Sequence, residues 1–522
     1  MMRRPAFVRA QRREEVGEII ARAAPTAGWN AKDPEASMPP EYAIQLENWF
    51  PTPADVVSRK GRKAHLTGVS GSVLSLMTYA NPLKTEMFAV TATGVFDASV
   101  AGAVGSSKLA VTNGQMHYVN MNSLGGSYLM AVNGTDSLVR YDGTTWMSIT
   151  AASTPAITGK LTSEFSNIAA HKRRLYFVGK DSMSMWYLPV NTIAGAVTEF
   201  PMGQLFTRGG KLVAMGTWTI DGGSGVDDYA VFITSEGEVA VYKGSDPSDA
   251  NNWALVGVYF VGKPIGAKCI QKYDGDLLIL TQVGVYPLSK ALQSASVNTV
   301  QALSDRISTA FLEATSLYST NPGWEMCIFP KGSMILTNIP IVSGTSSQQY
   351  VMNSVTQAWC KFTAWDAFCF TVFNDKLYFG TAGSVQQAWI GDDDAGDQIV
   401  CQVQCAYDYF STRKRRKHLK LVYPHFSADG GVKVELGVSV DFEPVAARPL
   451  NVTSFIPQAV SYYGSALWGS STWSGLYGFK RDWKTVFTPE GYAFSFRAKI
   501  TNNRLSVHWA ATDFIYQSGS IF

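Results

Sequence analysis

Short apolar strands recur along the middle of this chain, each followed by a Gly, Asn or Asp turn and a second strand that carries Tyr, Trp or Phe. Seven apolar positions serve as equivalent anchors in successive repeats: Phe88, Met130, Tyr176, Val231, Leu278, Ile335 and Tyr378. The differences between these residue numbers are 42, 46, 55, 47, 57 and 43. A strand repeat with a period of roughly 40 to 50 residues is typical of propeller blades. The sequence therefore predicts a β-propeller of six or seven blades; the alternative is a sandwich of similar hairpins without radial symmetry.

The composition also favours an all-β protein. Charged residues make up only 16% of the 522 positions, and the 46 glycines indicate many turns between short strands. With 46% hydrophobic residues the chain has ample material for a large core. The formal net charge of +3 gives no strongly basic field over a chain of this length, so composition alone does not indicate a tight nucleic-acid binder.

The repeat divides the chain into three segments. Residues 1–40 are irregular and Pro-rich, which predicts an extended N-terminal arm. Residues 41–395 are predicted to form the propeller, closed by a strand at or near Val56–Leu66 because an open ring would leave two bare sheet edges. After the acidic turn Asp392–Asp397 the pattern changes, and residues 396–522 are predicted to form an additional C-terminal β domain.

The sequence contains none of the common catalytic signatures. Gly257–Lys263 has the spacing of a phosphate-binding loop, but its intervening residues form a strand pattern and Pro264 stands where Ser or Thr would hold the metal. There is no GxSxG elbow, no HExxH and no dinucleotide-binding glycine fingerprint. The sequence predicts that the protein is not an enzyme and has no catalytic residues and no cofactor.

Metal, disulfide and membrane signals are equally weak. Only His418 and His425 lie near each other among six histidines, and neighbouring cations would repel a metal there. The six cysteines form no CxxC pair, which is typical of reduced core thiols. No stretch approaches the roughly 18 apolar residues that span a bilayer, and the Arg- and Glu-rich start does not resemble a signal peptide. We expect no bound metal, no membrane anchoring, and assembly in a reducing cytoplasm.

The sharpest charge feature is a basic run in the C-terminal segment. It consists of Arg413, Lys414, Arg415, Arg416, Lys417 and Lys420. Such a run could line a DNA path, meet the acidic residues of a neighbouring subunit, or form a solvated loop. If the run lines a DNA path, tight binding through many phosphate contacts would oppose the sliding of DNA along it.

Two blocks of sequence resemble tail proteins of podoviruses and prophages. The first, residues 24–61, contains Gly28-Trp29-Asn30, Leu46-Glu47-Asn48-Trp49-Phe50-Pro51 and Arg59-Lys60-Gly61; the second runs from Gly491 to Ser520. The resemblance is to the tail nozzle, or tail hub, proteins of the packaged-DNA stabilisation and tail tubular B types. Trp29, Trp49 and Phe50 are candidate anchors that tie the arm to its own propeller or to the next subunit.

The resemblance implies a virion structural protein of a bacteriophage tail. Six copies would form a ring below the portal and the adaptor (head-to-tail connector) ring, bound distally by needle, fibre or spike proteins, and the homohexamer would retain packaged double-stranded DNA and conduct it during ejection. The alternative is a tail-associated propeller that binds or cleaves host glycans. A pair of carboxylates in one pocket would favour that alternative.

Overall fold

Seven small β-sheets follow one another around a ring. The computed structural model describes residues 17–123, 125–221, 226–293, 302–410, 412–428, 432–443, 448–449, 484–485, 490–502 and 504–519. The first strand of each sheet contacts the first strand of the next, and the seventh sheet contacts the first. The protein is therefore an all-β chain whose central part is a seven-bladed β-propeller.

Blades 1 to 4 are antiparallel sheets whose strands follow one another along the chain, except that the short strand Gly195–Ala196 lies between the third and fourth strands of blade 3. Blade 1 contains Ser75–Ala80, Thr85–Thr91 and Gly94–Asp97. Blade 2 contains His117–Ser123, Gly126–Val132, Val139–Tyr141 and Trp146–Ser148. Blade 3 contains Phe165–His171, Arg174–Gly179, Ser184–Tyr187 and Thr198–Pro201. Blade 4 contains Leu212–Asp221, Val226–Thr234, Glu238–Gly244 and Trp253–Phe260.

Blades 5 to 7 complete the ring. Blade 5 contains Ile270–Tyr273, Asp276–Thr281 and Gly284–Pro287, and two α-helices follow it, Leu288–Gln293 and Ser308–Tyr318. Blade 6 contains Glu325–Phe329, Met334–Val342, Ser346–Asn353 and Trp359–Phe362. Blade 7 contains Cys369–Phe373, Lys376–Ala388, Arg62–Ser72 and Gly102–Ala103. A short parallel pair, Ile157–Thr158 with Gly195–Ala196, lies outside the blades.

The seven anchor positions chosen from the sequence lie in the second strands of the seven successive blades. Tyr176 and Tyr378 accordingly belong to different sheets. The closing strand is Arg62–Ser72, which pairs antiparallel with Lys376–Ala388 and so joins the two ends of the propeller in one blade. The predicted propeller is confirmed, with seven blades.

The remaining described strands form two groups, an extension of the blade 6 sheet and one separate sheet. In one, Gly28–Trp29, Tyr42–Glu47, Val400–Cys405, Phe494–Thr501, Lys433–Val440 and Arg448–Pro449 continue outward from the last strand of blade 6. In the other, Lys484–Thr485, Lys417–Ala428, Val507–Ser518, Val56–Ser58 and Trp49–Pro51 are neighbours in that order, and Glu18–Ala23 also pairs with Val507–Ser518. We call the separate sheet, together with the extension of the blade 6 sheet, the platform; blade 6 itself is counted with the propeller.

The domain boundaries differ from the predicted segments 1–40, 41–395 and 396–522. Strands between residues 42 and 58 belong to the platform, so the propeller begins at Arg62. The N-terminal segment is described from residue 17, and its strand Glu18–Ala23 pairs along its whole length with Val507–Ser518. The platform is also continuous with blade 6 through Gly28–Trp29. The reason is backbone pairing: each of these strands would otherwise leave a bare sheet edge.

All six cysteines lie in the described chain as free thiols, five of them buried. Burial raises the pKa of Cys269 and Cys401 to about 12. These thiols are therefore protonated and unreactive at neutral pH.

Gly61 marks a point where two chain segments approach closely. Its amide donates to the carbonyl of Gly391, and the Arg62 amide donates to the carbonyl of Asp393. A Cβ atom on residue 61 would lie 1.7 Å from the Asp393 carbonyl oxygen. Only glycine fits here, between the platform and the closing strand.

We expect Gly61→Ala to destabilise the protein by roughly 2 kcal/mol or more, because the methyl group forces backbone apart. Chemical denaturation of the purified protein measures this change. Gly105→Ala is the matched control, since a Cβ at Gly105 meets no atom within 4 Å, and it should leave stability unchanged or slightly raised. Equal stability of the two variants would contradict the close approach of Gly61 to the backbone of Asp393.

Candidate functional site

The three candidate anchors are all buried within this one chain. Trp49 is fully buried and its ring contacts Phe426 and Trp509 in the platform. Phe50 packs on Phe362 and Trp389. Trp29 meets Tyr350 of blade 6 edge-on, with 5.0 Å between ring centroids. Of the two roles left open for these residues, the structure places all three in contacts within their own chain.

The first resembling block also contributes two residues, Asn48 and Arg59, to a buried polar cluster that we call the junction. Its other members are Thr363, Trp365 and Asp394. Arg59 is fully buried, and two of its nitrogens donate to the two carboxylate oxygens of Asp394 at 2.9 and 2.6 Å. Its Nε donates to Asn48 Oδ1 at 2.8 Å, and its guanidinium lies 5.0 Å from the centre of the Trp365 ring. A buried ion pair is tolerated only when its remaining hydrogen bonds are satisfied in this way.

Asn48 extends the junction to the propeller. Its amide nitrogen donates to Thr363 Oγ1 and to the Val400 carbonyl, both at 2.8 Å. Its side-chain oxygen accepts from the Thr363 amide at 2.9 Å. The residue has a φ of 57°, a conformation that Asn tolerates better than most residues. Asn48 and Arg59 thus link the platform to blade 6 and to the acidic turn.

The basic run divides into an exposed part and a buried part. Arg413, Lys414, Arg415 and Arg416, here called the basic loop, are all exposed and precede the strand Lys417–Ala428. The Arg413 guanidinium lies over the Tyr409 ring at 4.4 Å and donates to the Ala36 carbonyl at 3.4 Å.

Lys417 does not share the exposure of the loop. It is fully buried, and its ammonium donates to the carbonyls of Thr412, Arg415 and Tyr492. Burial lowers its pKa, although nearby carboxylates oppose the shift. Lys420 directly follows the buried Leu419 and is exposed on the strand. Lys417 is therefore a packing element of the loop and cannot reach DNA or a partner.

The acidic turn is used largely inside the chain. Asp394 belongs to the junction, and Asp393 pairs with the Nε of Arg504 at 3.2 Å. Asp397 is exposed. The turn therefore offers a neighbouring subunit less free negative charge than its sequence indicates.

The sequence did not predict the polar wall of the propeller centre. A cavity of about 540 Å³ lies among the first strands of the blades. Its polar lining residues are His117, Tyr118, Asn167, Thr217, Lys268, Gln271, Lys272, Glu325 and Thr371. This volume is within the usual range for small-molecule sites.

One ion pair crosses from blade to blade in this cavity. The Lys268 ammonium lies 2.9 Å from Glu325 Oε2, and Glu325 Oε1 accepts from the Phe370 amide. Burial alone would lower the pKa of Lys268, but the Glu325 charge outweighs it and the net pKa is raised. Lys268 is thus a cation inside the cavity, and both oxygens of Glu325 are engaged.

His117 stays neutral beside that cation. The Met215 amide donates to Asn167 Oδ1 at 3.3 Å, so the Asn167 amide nitrogen faces His117 Nδ1, 3.0 Å away, and donates to it. The proton of the neutral ring therefore resides on Nε2. Burial, and then the Lys268 charge, lower the pKa of His117 to about 3.

A faint signal of this wall exists in the sequence. His117 and Asn167 are 50 residues apart, and Lys268 and Glu325 are 57 apart, so each pair is separated by about one repeat. Aligning the repeats on their first strands, and not on the apolar second strands, would have brought these polar residues together.

The described part of the chain contains no group of three or more His, Cys, Asp or Glu side chains that could hold a metal ion. Nor does any helix within it have the length and apolar character needed to cross a membrane.

No protein-family model matches the chain, and no curated protein matches its sequence. Similar solved structures include the β-propeller domain of Cps50 (Swd1) from Myceliophteria thermophila, with 10% identity and a TM-score of 0.40 over 63% of this chain and 99% of that chain. Sqt1 from Saccharomyces cerevisiae gives 11% identity and a TM-score of 0.34 over 66% and 96% of the two chains. BBS1N, crystallised with ARL6DN, gives 9% and 0.41 over 65% and 99%. None of these likenesses assigns a function.

We expect Asp394→Asn to cost about 3–5 kcal/mol of unfolding free energy, because it leaves the Arg59 charge buried without its partner. Glu236→Gln is the matched control: it breaks the Lys263–Glu236 pair, whose side chains are 54% and 32% exposed, and should cost less than about 1 kcal/mol. Urea denaturation of both variants provides the measurement. If the two variants lose similar amounts of unfolding free energy, the buried Arg59–Asp394 pair contributes no more to stability than a surface pair does.

Proposed function

We propose that this chain is a structural subunit of a short-tailed phage tail, of the nozzle or hub type, which forms a ring below the portal and adaptor. The proposal makes it a virion protein with no catalytic role, assembled with distal tail proteins. It rests first on the resemblance of residues 24–61 and 491–520 to such tail proteins.

The observation that carries the proposal is that these two blocks, more than 400 residues apart, pack together in the platform. Trp49 contacts Trp509 across the sheet, and the Val507 amide donates to Ser58 Oγ at 3.0 Å. His508 Nδ1 lies 2.8 Å from Asp55 Oδ2. The described residues of the two blocks thus form one structural unit beside the propeller; Asn503 and Ser520 lie outside the described residues.

A DNA conduit in this proposal lies between subunits and not inside one propeller. The central cavity holds about 540 Å³, is lined by side chains and is crossed by the Lys268–Glu325 pair. That space suits a small molecule and is far too small for a double helix. The outer surface of each subunit must then face the lumen.

Glycan cleavage, the alternative role, has little support in this cavity. A glycosidase of the usual kind needs two carboxyl groups about 5 to 9.5 Å apart. Glu325 is the one carboxylate among the residues that line the described cavity, and its oxygens already accept from Lys268 and Phe370. We therefore favour the structural role.

The proposal is tested by electron microscopy of the purified full-length protein, alone and mixed with the adaptor of the same phage. We expect rings with sixfold symmetry, formed through head-to-tail contacts because a self-complementary contact would stop at a dimer. The six-fold number comes from the resemblance. The proposal would be refuted if the protein stays monomeric in both samples, or if it forms rings that are not found in purified virions.

We expect the basic loop to act at a subunit contact or at the lumen. Changing Arg413, Lys414, Arg415 and Arg416 to Gln should reduce the ring fraction if the loop meets acids of the next subunit. If it faces the lumen, rings should form normally, while DNA retention weakens and depends less on salt. Lys417 is left unchanged because it is buried.

The matched control for the basic loop changes four exposed propeller lysines, Lys108, Lys172, Lys331 and Lys376, to Gln. It removes the same charge from elsewhere on the surface. Size-exclusion chromatography with light scattering gives the ring fraction, and DNA release from assembled particles gives retention. If the loop variant and the control behave alike in both measurements, the loop is only solvated surface.

A further inference from the structure

The cavity at the centre of the propeller has an uneven balance of charge and hydrogen-bonding groups. Among the described residues, three charged side chains line it: Lys268, Lys272 and Glu325. Two of these are cations and one is an anion, so with His117 neutral the lining carries a net charge of +1. Such a site favours an anion over a neutral or cationic ligand.

Two side chains of the cavity, Lys268 and His117, keep hydrogen-bond donors beyond their contacts with Glu325 and Asn167. An ammonium group has three protons, and Lys268 gives one of them to Glu325, which leaves two for other partners in a side chain that lines the cavity. His117 carries its remaining proton on Nε2 because its Nδ1 accepts from Asn167. Glu325, by contrast, has both oxygens engaged and does not present a free acceptor pair.

The polar side chains of the cavity are held by regular parts of the fold. His117 begins the first strand of blade 2, Lys268 precedes the first strand of blade 5, and Glu325 begins the first strand of blade 6. The positions of Asn167 and Glu325 are fixed by bonds to backbone amides. A ligand would meet groups already held in place, which lowers the cost of binding.

We propose that the central cavity of the propeller is a binding site for a small oxyanion, a carboxylate or a phosphate, held by the Lys268 ammonium and the Nε2 proton of His117. Lys272 is exposed at the cavity wall and adds long-range attraction. The site does not depend on the proposed tail function, and it concerns the centre of one subunit and not the lumen of a ring. Charge-assisted hydrogen bonds to an oxyanion are the strong contacts in such a site.

The test is titration of the full-length protein with inorganic phosphate and, separately, with succinate, followed by calorimetry and by NMR of labelled histidine side chains. We expect saturable binding of at least one probe, and a rise in the pKa of His117 in the bound form because the anion stabilises the imidazolium. The two probes distinguish a phosphate from a carboxylate ligand. Absence of saturable binding by both would overturn the proposal.

The double variant Lys268→Met/Glu325→Gln localises the site. It removes both charges together, so no buried charge is left alone, and Gln can still accept from the Phe370 amide. We expect affinity to fall at least about tenfold. Lys211→Met removes an exposed lysine outside the cavity and should bind as the original protein does. Unchanged affinity in the double variant would place the anion elsewhere and refute the site.

If the double variant fails to fold, the unmodified protein still decides the question. Histidine NMR should distinguish His117 from a histidine outside the cavity such as His418, whose side chain is 40% exposed. Binding in the cavity must shift the His117 signals. A phosphate or succinate response confined to other histidines would exclude the cavity as the site.

Discussion

The buried pair of Arg59 and Asp394 is the interaction on which the arrangement of this chain depends. Arg59 stands three residues before the strand that closes the propeller, and Asp394 follows the blade 7 strand to which that closing strand pairs. This one contact therefore joins the segment where the chain enters the propeller to the segment where it leaves it. The desolvation of the two charges is offset only because Asn48, Thr363 and the Lys60 carbonyl satisfy the remaining bonds. Ring closure and platform attachment thus share the same few atoms.

The blades could be predicted from the sequence because their second strands are buried on both faces. A buried strand needs apolar residues along its whole length, and such runs recur visibly once per blade. The platform strands gave no such signal. Asn48 bonds to a residue 315 positions away, and Trp49 packs beside a C-terminal strand. Periodicity reports which face of a strand is buried and not which distant strand is its partner, so the boundary near residue 41 was misplaced.

The candidate sites show the same limit at the level of single side chains. The charge run was evident in the sequence, but a strand begins inside it, so that Lys417 turns inward and its ammonium finds three backbone carbonyls. The acidic turn was evident too, yet its buried carboxylate, that of Asp394, pairs with Arg59, 335 positions away. The cavity residues were missed because no first strand contributes more than two polar side chains to the cavity, and that of blade 1 contributes none, so the polar residues do not stand out in any one strand.

Closure of the propeller also constrains how copies of the chain could associate. Every first strand contacts a neighbour on each side, and the seventh blade meets the first, so the centre of the ring is not available to another subunit. In the proposed ring, contacts between copies would use the outer parts of the blades and the platform. A head-to-tail ring needs two unlike patches on each chain, and burial of Trp29, Trp49 and Phe50 removes these aromatic residues from both. The basic loop, in contrast, is exposed, so it stays accessible to a second copy or to DNA in the proposed ring.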